Sequence, residues 1–200
     1  MKKILIAAAV GMLVAGSVAA KESPWLVRAR VVHLNMANTN NTTVAGLTVN
    51  DKTIPEVDIS YFFTKNIAAE LILTVPQKHH VYLSGTDLGT FKHLPPTLTV
   101  QYHFTDFTGY KPYVCAGLNY TQITAEKISA GGGTNNVTLS DKSIGGALQA
   151  GVDIPLTKQV SLNIDVKKVY IKSHVYVGGT DVGTLKLDPV VFGVGVGYRF

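Results

Sequence analysis

Only one of the 200 residues is cysteine and only one is tryptophan. A lone Cys115 closes no internal disulfide, so the chain is not held together as small secreted cross-linked domains are. Charge is scarce, at 16% Asp, Glu, Lys and Arg. The 18 basic side chains outnumber the 13 acidic ones, yet no stretch gathers Lys and Arg, which argues against a nucleic-acid partner. Beyond the N-terminus no segment approaches the run of about 18 apolar residues that marks a membrane helix. The glycine run Gly131-Gly132-Gly133 stands in a polar stretch with no helix after it, so it is no phosphate cradle. Nothing calls for a cofactor.

The N-terminus has a basic end at Lys2 and Lys3, an apolar run from Ile4 to Val14, and small residues up to Val18-Ala19-Ala20. That layout predicts a secretory signal peptide over 1–20, cleaved after Ala20. The mature chain, 21–200, is then one domain with a charge excess of about +3. It is rich in Val, Ile, Leu, Tyr, Phe, Thr and Gly, a composition shared by secreted sandwiches and membrane barrels.

Alternation separates the two. Eight segments have a period of two: 25–35, 55–64, 67–75, 94–104, 113–124, 143–154, 160–171 and 189–200. In the fourth, Leu98, Val100, Tyr102 and Phe104 oppose Thr97, Thr99, Gln101 and His103. Each has about the 9–11 residues of a tilted membrane strand. Short connections (64–66, 106–111, 155–159) alternate with long ones (36–54, 76–93, 125–142, 172–188). Trp25, Tyr61, Phe63, Tyr102, Phe104, Tyr198 and Phe200 collect near one end, as an interfacial girdle does. The expected fold is all-β: an eight-stranded antiparallel transmembrane β-barrel with short periplasmic turns and long extracellular loops, in the outer membrane of a Gram-negative cell.

Reading the inward positions from the periplasmic end upward, Arg28, Arg30, Asp58, Glu70, Gln101, His103, Gln149, Asp153, Asp165, Lys167 and Arg199 come first. Val32, Leu34, Ile72, Ile123, Val169, Ile171 and Val191 follow towards the outside. An eight-stranded interior is only wide enough for side chains, so opposite charges there should pair and block the bore. The upper set predicts an apolar cup whose low-energy exit is sideways into lipid. The alternative is a closed structural or adhesive barrel acting through its loops.

One segment occurs twice. HVYLSGTDLGTFKHLPP from His80 and HVYVGGTDVGTLKLDPV from His174 agree at ten of seventeen positions. Each reads as a hairpin around a Gly-Thr-Asp turn, involving Tyr82, Gly85 and Asp87 or Tyr176, Gly179 and Asp181, and ending at Pro95 or Pro189. In an eight-stranded cylinder the two stand opposite each other.

Enzymatic chemistry has little to work with. His79-His80 lacks the further ligands of a zinc site. His103 could approach Asp58 or Glu70, but no serine stands in a nucleophile context. The expectation is a non-enzyme with no bound metal.

His93-Leu94-Pro95-Pro96-Thr97-Leu98, Pro112 to Thr121, Lys186-Leu187-Asp188-Pro189 and the closing Gly197-Tyr198-Arg199-Phe200 resemble the outer membrane protein W (OmpW) family, which includes alkane-uptake barrels of the AlkL type. The resemblance implies a narrow hydrophobic channel for small apolar solutes, embedded in outer-membrane lipid. It also implies that Phe200 is the terminal aromatic read by the barrel assembly machinery. Cys115 stands where the family often has Gly, and strands seven and eight lack the Trp that many members carry.

Overall fold

The computed structural model describes residues 23–42, 46–129 and 137–200. The expected leader and the Gly131–Gly133 run lie outside them. In chain order the first strands are β1 (Trp25–Asn35), β2 (Thr39–Thr42), β3 (Leu47–Val49), β4 (Lys52–Phe62) and β5 (Ile67–Thr74). Then come β6 (Gln77–Leu83), β7 (Thr86–Leu94), β8 (Thr97–His103), β9 (Lys111–Ile128) and β10 (Val137–Leu139). The last are β11 (Lys142–Pro155), β12 (Val160–Val169), β13 (Lys172–Val177), β14 (Thr180–Lys186) and β15 (Val190–Arg199).

Eight of these close a barrel in the order β1-β4-β5-β8-β9-β11-β12-β15, and β15 returns to β1 from Leu26–Arg199 to Asn35–Val190. All pairs are antiparallel. Closure leaves no open edge, which in lipid is the condition for a sheet to exist at all. Outward positions are apolar and exposed, among them Val31, Leu98, Leu118, Ile144 and Val196. At the periplasmic rim the rings touch edge to face, Trp25 on Tyr61, Tyr61 on Phe63, Tyr102 on Phe104 and Tyr198 on Phe200.

Two of the long connections carry the expected hairpins, and in all of them most of the described residues are strand. A second ring runs β3-β6-β7-β9-β10-β13-β14-β2 above the barrel. Asn38 joins its two ends of chain, its amide donating to Val49 O at 3.1 Å while its oxygen accepts from Val49 N at 2.7 Å. The duplicated hairpins β6–β7 and β13–β14 therefore face each other across this ring.

Their turns are centred before the expected Gly-Thr-Asp, at Ser84-Gly85 and Gly178-Gly179, all four with positive φ. Two left-handed residues match the strand twist, which a Thr-Asp centre does not. Asp87 and Asp181 sit at a bulge beyond the turn. There Oδ1 accepts from Gly89 N or Gly183 N at 2.8 Å, and Oδ2 lies 2.8 Å from His80 Nδ1 or 3.0 Å from His174 Nδ1. The bulge brings Gly89 so close to β9 that a Cβ would stand 1.8 Å from Lys127 O, at φ +132°.

Gly89→Ala is accordingly expected to loosen the upper ring by about 1–3 kcal/mol, the scale of a forced backbone outlier. Hydrogen exchange should accelerate in β6–β7, while the barrel keeps its heat-modifiable mobility on gels.

Candidate functional site

The lumen is layered. Arg28 and Arg30, two residues apart on β1, share its inward face, and both are buried. Arg28 donates from Nε and Nη2 to the two oxygens of Asp153 at 3.1 and 2.7 Å, and from Nη1 to Asp58 at 3.1 Å and Ser60 Oγ at 3.2 Å. Arg30 lies one layer higher. Its Nη2 is 2.6 Å from Asp58, 3.1 Å from Glu56 and 3.5 Å from Glu70, and its Nη1 pairs with Asp165. Lys167 donates to both oxygens of Glu56 at 2.9 and 3.0 Å, and Thr99 donates to Glu70 at 2.9 Å. Three cations thus hold five carboxylates, all buried. Singly, such charges are prohibitive away from water; paired and hydrogen-bonded, they are tolerated. β15 gives them room: a Cβ on Gly195 would stand 2.7 Å from Arg30 Cγ.

Below this layer lies a small apolar floor of Leu26, Phe62 and Ala68. His103 is placed there by Gln101 Oε1, 2.9 Å from its Nε2, and by stacking on Tyr113 at 5.1 Å. Asp58 and Glu70 are turned to the arginines, and Ser60 Oγ accepts from Arg28. A vestibule of about 1220 Å³ opens beneath, among the periplasmic turns.

Arg199 differs from expectation. It lies at the vestibule, its Nε donating to Ser23 O at 3.0 Å and its guanidinium 4.3 Å above the Phe62 ring. It is at the rim, below the level of the ion pairs. Glu56 was missed by the sequence reading, although it shares the parity of Asp58. So was Asn163, whose Nδ2 donates to Tyr113 Oη at 3.0 Å and Asp153 at 2.9 Å.

Above the ion pairs, Val32, Leu34, Ile123, Val169, Ile171 and Val191 belong to one buried apolar cluster that continues through Phe91, Leu185 and Leu187 into the upper ring. Ile72 is buried at its base. Between the layers remains a cavity of about 30 Å³, bounded by Leu34, Ile72, Val169, Ile171 and Val191 with Thr74, His93, Thr97, Asn119 and the Glu56–Lys167 pair. That space suits one or two waters.

The barrel wall is interrupted at this height. Pairing of β5 with β8 ends at Ile72–Thr97, and pairing resumes at Gln77–His93 in the hairpin above. Pro95 and Pro96 occupy the break and offer no N–H. At the duplicated position the wall is continuous: Asp188 Oδ1 accepts from Ile171 N at 2.8 Å, and Pro189 O accepts from Val169 N at 3.1 Å. Leu94 and Pro96 stand where the second copy has Asp188 and Val190, so the first copy cannot make the same bridge. Outside the break the exposed surface is apolar, with Leu73, Val75, Leu98 and Leu118.

In the upper ring His79 and His93 stack at 4.7 Å. Burial is the leading cause that lowers His79 to about 4 and His93 to about 3.

Two outcomes follow from these placements. Arg28→Met should destabilise the barrel by roughly 3–5 kcal/mol, because Asp153 is left buried without its cation and Asp58 keeps only Arg30. A lowered urea midpoint for unfolding in lipid vesicles reports it. The histidines set a pH dependence on the upper ring. With folded pKa values near 4 and 3 against an unfolded value of 6.5, the unfolded segment binds more protons between these limits. Stability is therefore complete above pH 6.5 and is lost as pH falls towards 4, seen as hydrogen exchange in β6–β7 faster than the intrinsic rate change.

Known proteins share this architecture. The model of the OmpW family matches residues 15–200. The uncharacterized outer-membrane protein y4mB of Sinorhizobium fredii is 43% identical over 192 residues, covering 92% of this chain and 82% of its own. Outer membrane protein W of Escherichia coli is 33% identical over 213 residues, with 100% of both chains covered. The crystal structure of OprG from Pseudomonas aeruginosa shares the fold, with a TM-score of 0.74 and 24% identity over 92% of this chain and 99% of that one. The chain belongs to the OmpW family of outer-membrane β-barrel proteins.

Proposed function

We propose that the protein takes up small hydrophobic molecules through its extracellular mouth and releases them sideways into the outer membrane. One observation carries this reading: within a single closed lumen, an apolar layer lies directly above a layer of buried ion pairs. A hydrocarbon entering from outside meets side chains of its own polarity. Going further down, it would have to separate charges whose pairing is the condition for their burial. The ion pairs therefore act as a plug, with Arg28, Arg30, Asp58, Glu70, Asp153, Asp165 and Lys167 as its members and Glu56 added to them.

The break at Pro95-Pro96 supports the sideways route. It lies at the height of the cavity, has few backbone bonds to separate, and faces lipid through apolar side chains. Entry requires the apolar cluster to part, since the cavity itself is smaller than any such solute. Phe200, whose N bonds Trp25 O, takes the role of the terminal signal for the barrel assembly machinery.

The small cavity also favours a second reading, a closed barrel with a structural or adhesive role for the upper ring. Uptake of n-octane by vesicles with lipopolysaccharide in their outer leaflet decides between them. Under the uptake reading, Val32→Asp and Ile72→Asp should each slow it about tenfold, the scale of burying an unpaired polar group. The pair Leu94→Asp with Pro96→Val, which copies the second repeat and closes the wall, should slow it while folding is retained. Rates equal to those of protein-free vesicles for the wild type would leave the closed barrel.

A further inference from the structure

The cavity between the layers has two unlike sides. Val169, Ile171 and Val191 present aliphatic surface, and Thr74 and His93 face them from β5 and β7. The hydrogen-bonding capacity of these two is unspent. Thr74 Oγ1 and both ring nitrogens of His93 are buried with no hydrogen-bond partner among the described residues, and His93 is 1% exposed.

Their polar neighbours are satisfied. Lys167 is held by both oxygens of Glu56, and Asn119 Nδ2 donates to Thr97 Oγ1 at 2.8 Å and to the carbonyls of Pro95 and Pro96. Leaving a buried donor or acceptor unmade is expensive, so this corner of the lumen is primed for a ligand that can pair with it.

The chemistry of that ligand follows from the atoms. Burial keeps His93 neutral, so its ring offers one N–H donor and one lone pair, and Thr74 adds a hydroxyl able to do either. His79, stacked behind it, is held by its Nδ1, which donates to Asn50 O at 3.0 Å, while its Nε2 also lacks a partner among the described residues. A hydrocarbon satisfies none of these groups. A carboxylate only accepts, so it meets the imidazole lone pair and the nearby Glu56 unfavourably, and the Lys167 charge is already engaged. A hydroxyl both donates and accepts, which is the combination required.

We propose that Thr74 and His93 form a hydroxyl-binding site, and that the solutes handled best are small alcohols or phenols with an aliphatic or aromatic body. The hydroxyl occupies the 30 Å³ cavity, and the body parts the aliphatic side chains above it. Because Thr74 and His93 flank Pro95, the site stands at the mouth of the break in the wall. This names a solute class and rests on the uptake reading above.

The test compares uptake of n-octane, 1-octanol and octanoate in vesicles carrying lipopolysaccharide, corrected for protein-free vesicles. The wild type should favour octanol over octane by about tenfold, the combined worth of two ordinary hydrogen bonds. Octanoate should be slowest. The octanol-to-octane ratio should fall towards one in His93→Phe and to an intermediate value in Thr74→Val. Independently of transport, octanol should move the imidazole ¹⁵N resonances of His93 in nanodiscs, and octane should not.

Octane uptake with no octanol preference, or with a preference that survives in His93→Phe, overturns the hydroxyl site and leaves the transport reading standing. Unmoved His93 resonances overturn the site as well. A His93 shift with octanol but no uptake of either solute keeps the site and removes the transport reading.

Discussion

An eight-stranded cylinder has room inside for side chains and little else, and everything in this molecule answers to that limit. Closing β15 onto β1 removes the last free edge, but it also seals the inward residues from bulk water. Each charge placed there must find its partner among other side chains. Arg28 and Arg30 are the clearest result, with carboxylates drawn to them from β4, β5, β11 and β12. The same narrowness lets the apolar residues above fill their own layer almost completely. A wider barrel would have hydrated both.

The two copies of the repeated segment show how small a change in sequence alters such a wall. Both build the same hairpin, with the same left-handed turn and the same histidine–aspartate contact at the bulge. They part company at their last residues. Asp188 hands a carboxylate to the backbone across the way and carries the pairing past Pro189. Leu94 has nothing to offer, and the second proline after it removes one more donor. One side of the cylinder is therefore stitched from the membrane to the outer ring, and the other is not.

Much of this was legible in the alternation of residues. Strand parity separated lipid-facing from inward positions and put Arg28, Asp58, Asp153 and Val32, Val169, Val191 in their layers. Height along a strand was harder, because tilt shifts neighbouring strands: Arg199 belonged to the rim. Glu56 had the right parity but followed a proline at the assumed strand start. The two hairpins of the upper ring were read from their repeat, but the ring that they close with β2, β3, β9 and β10 was not. Gln77, His79 and Val81 alternate inward with Lys78, His80 and Tyr82 outward, yet their outward neighbours meet water, so the apolar outer face used to recognise a membrane strand is missing. The Ser84-Gly85 turn centre was hidden by the more familiar Gly-Thr-Asp.

β9 runs unbroken for 18 residues, about 60 Å, and it borders both the barrel and the ring. On one flank it pairs first with β8 and then with β7, so it spans the proline break without sharing it. On the other it pairs with β11 and then β10. One continuous backbone therefore carries the collar past the break, so the wall beneath the first hairpin is open on one flank and braced on the other.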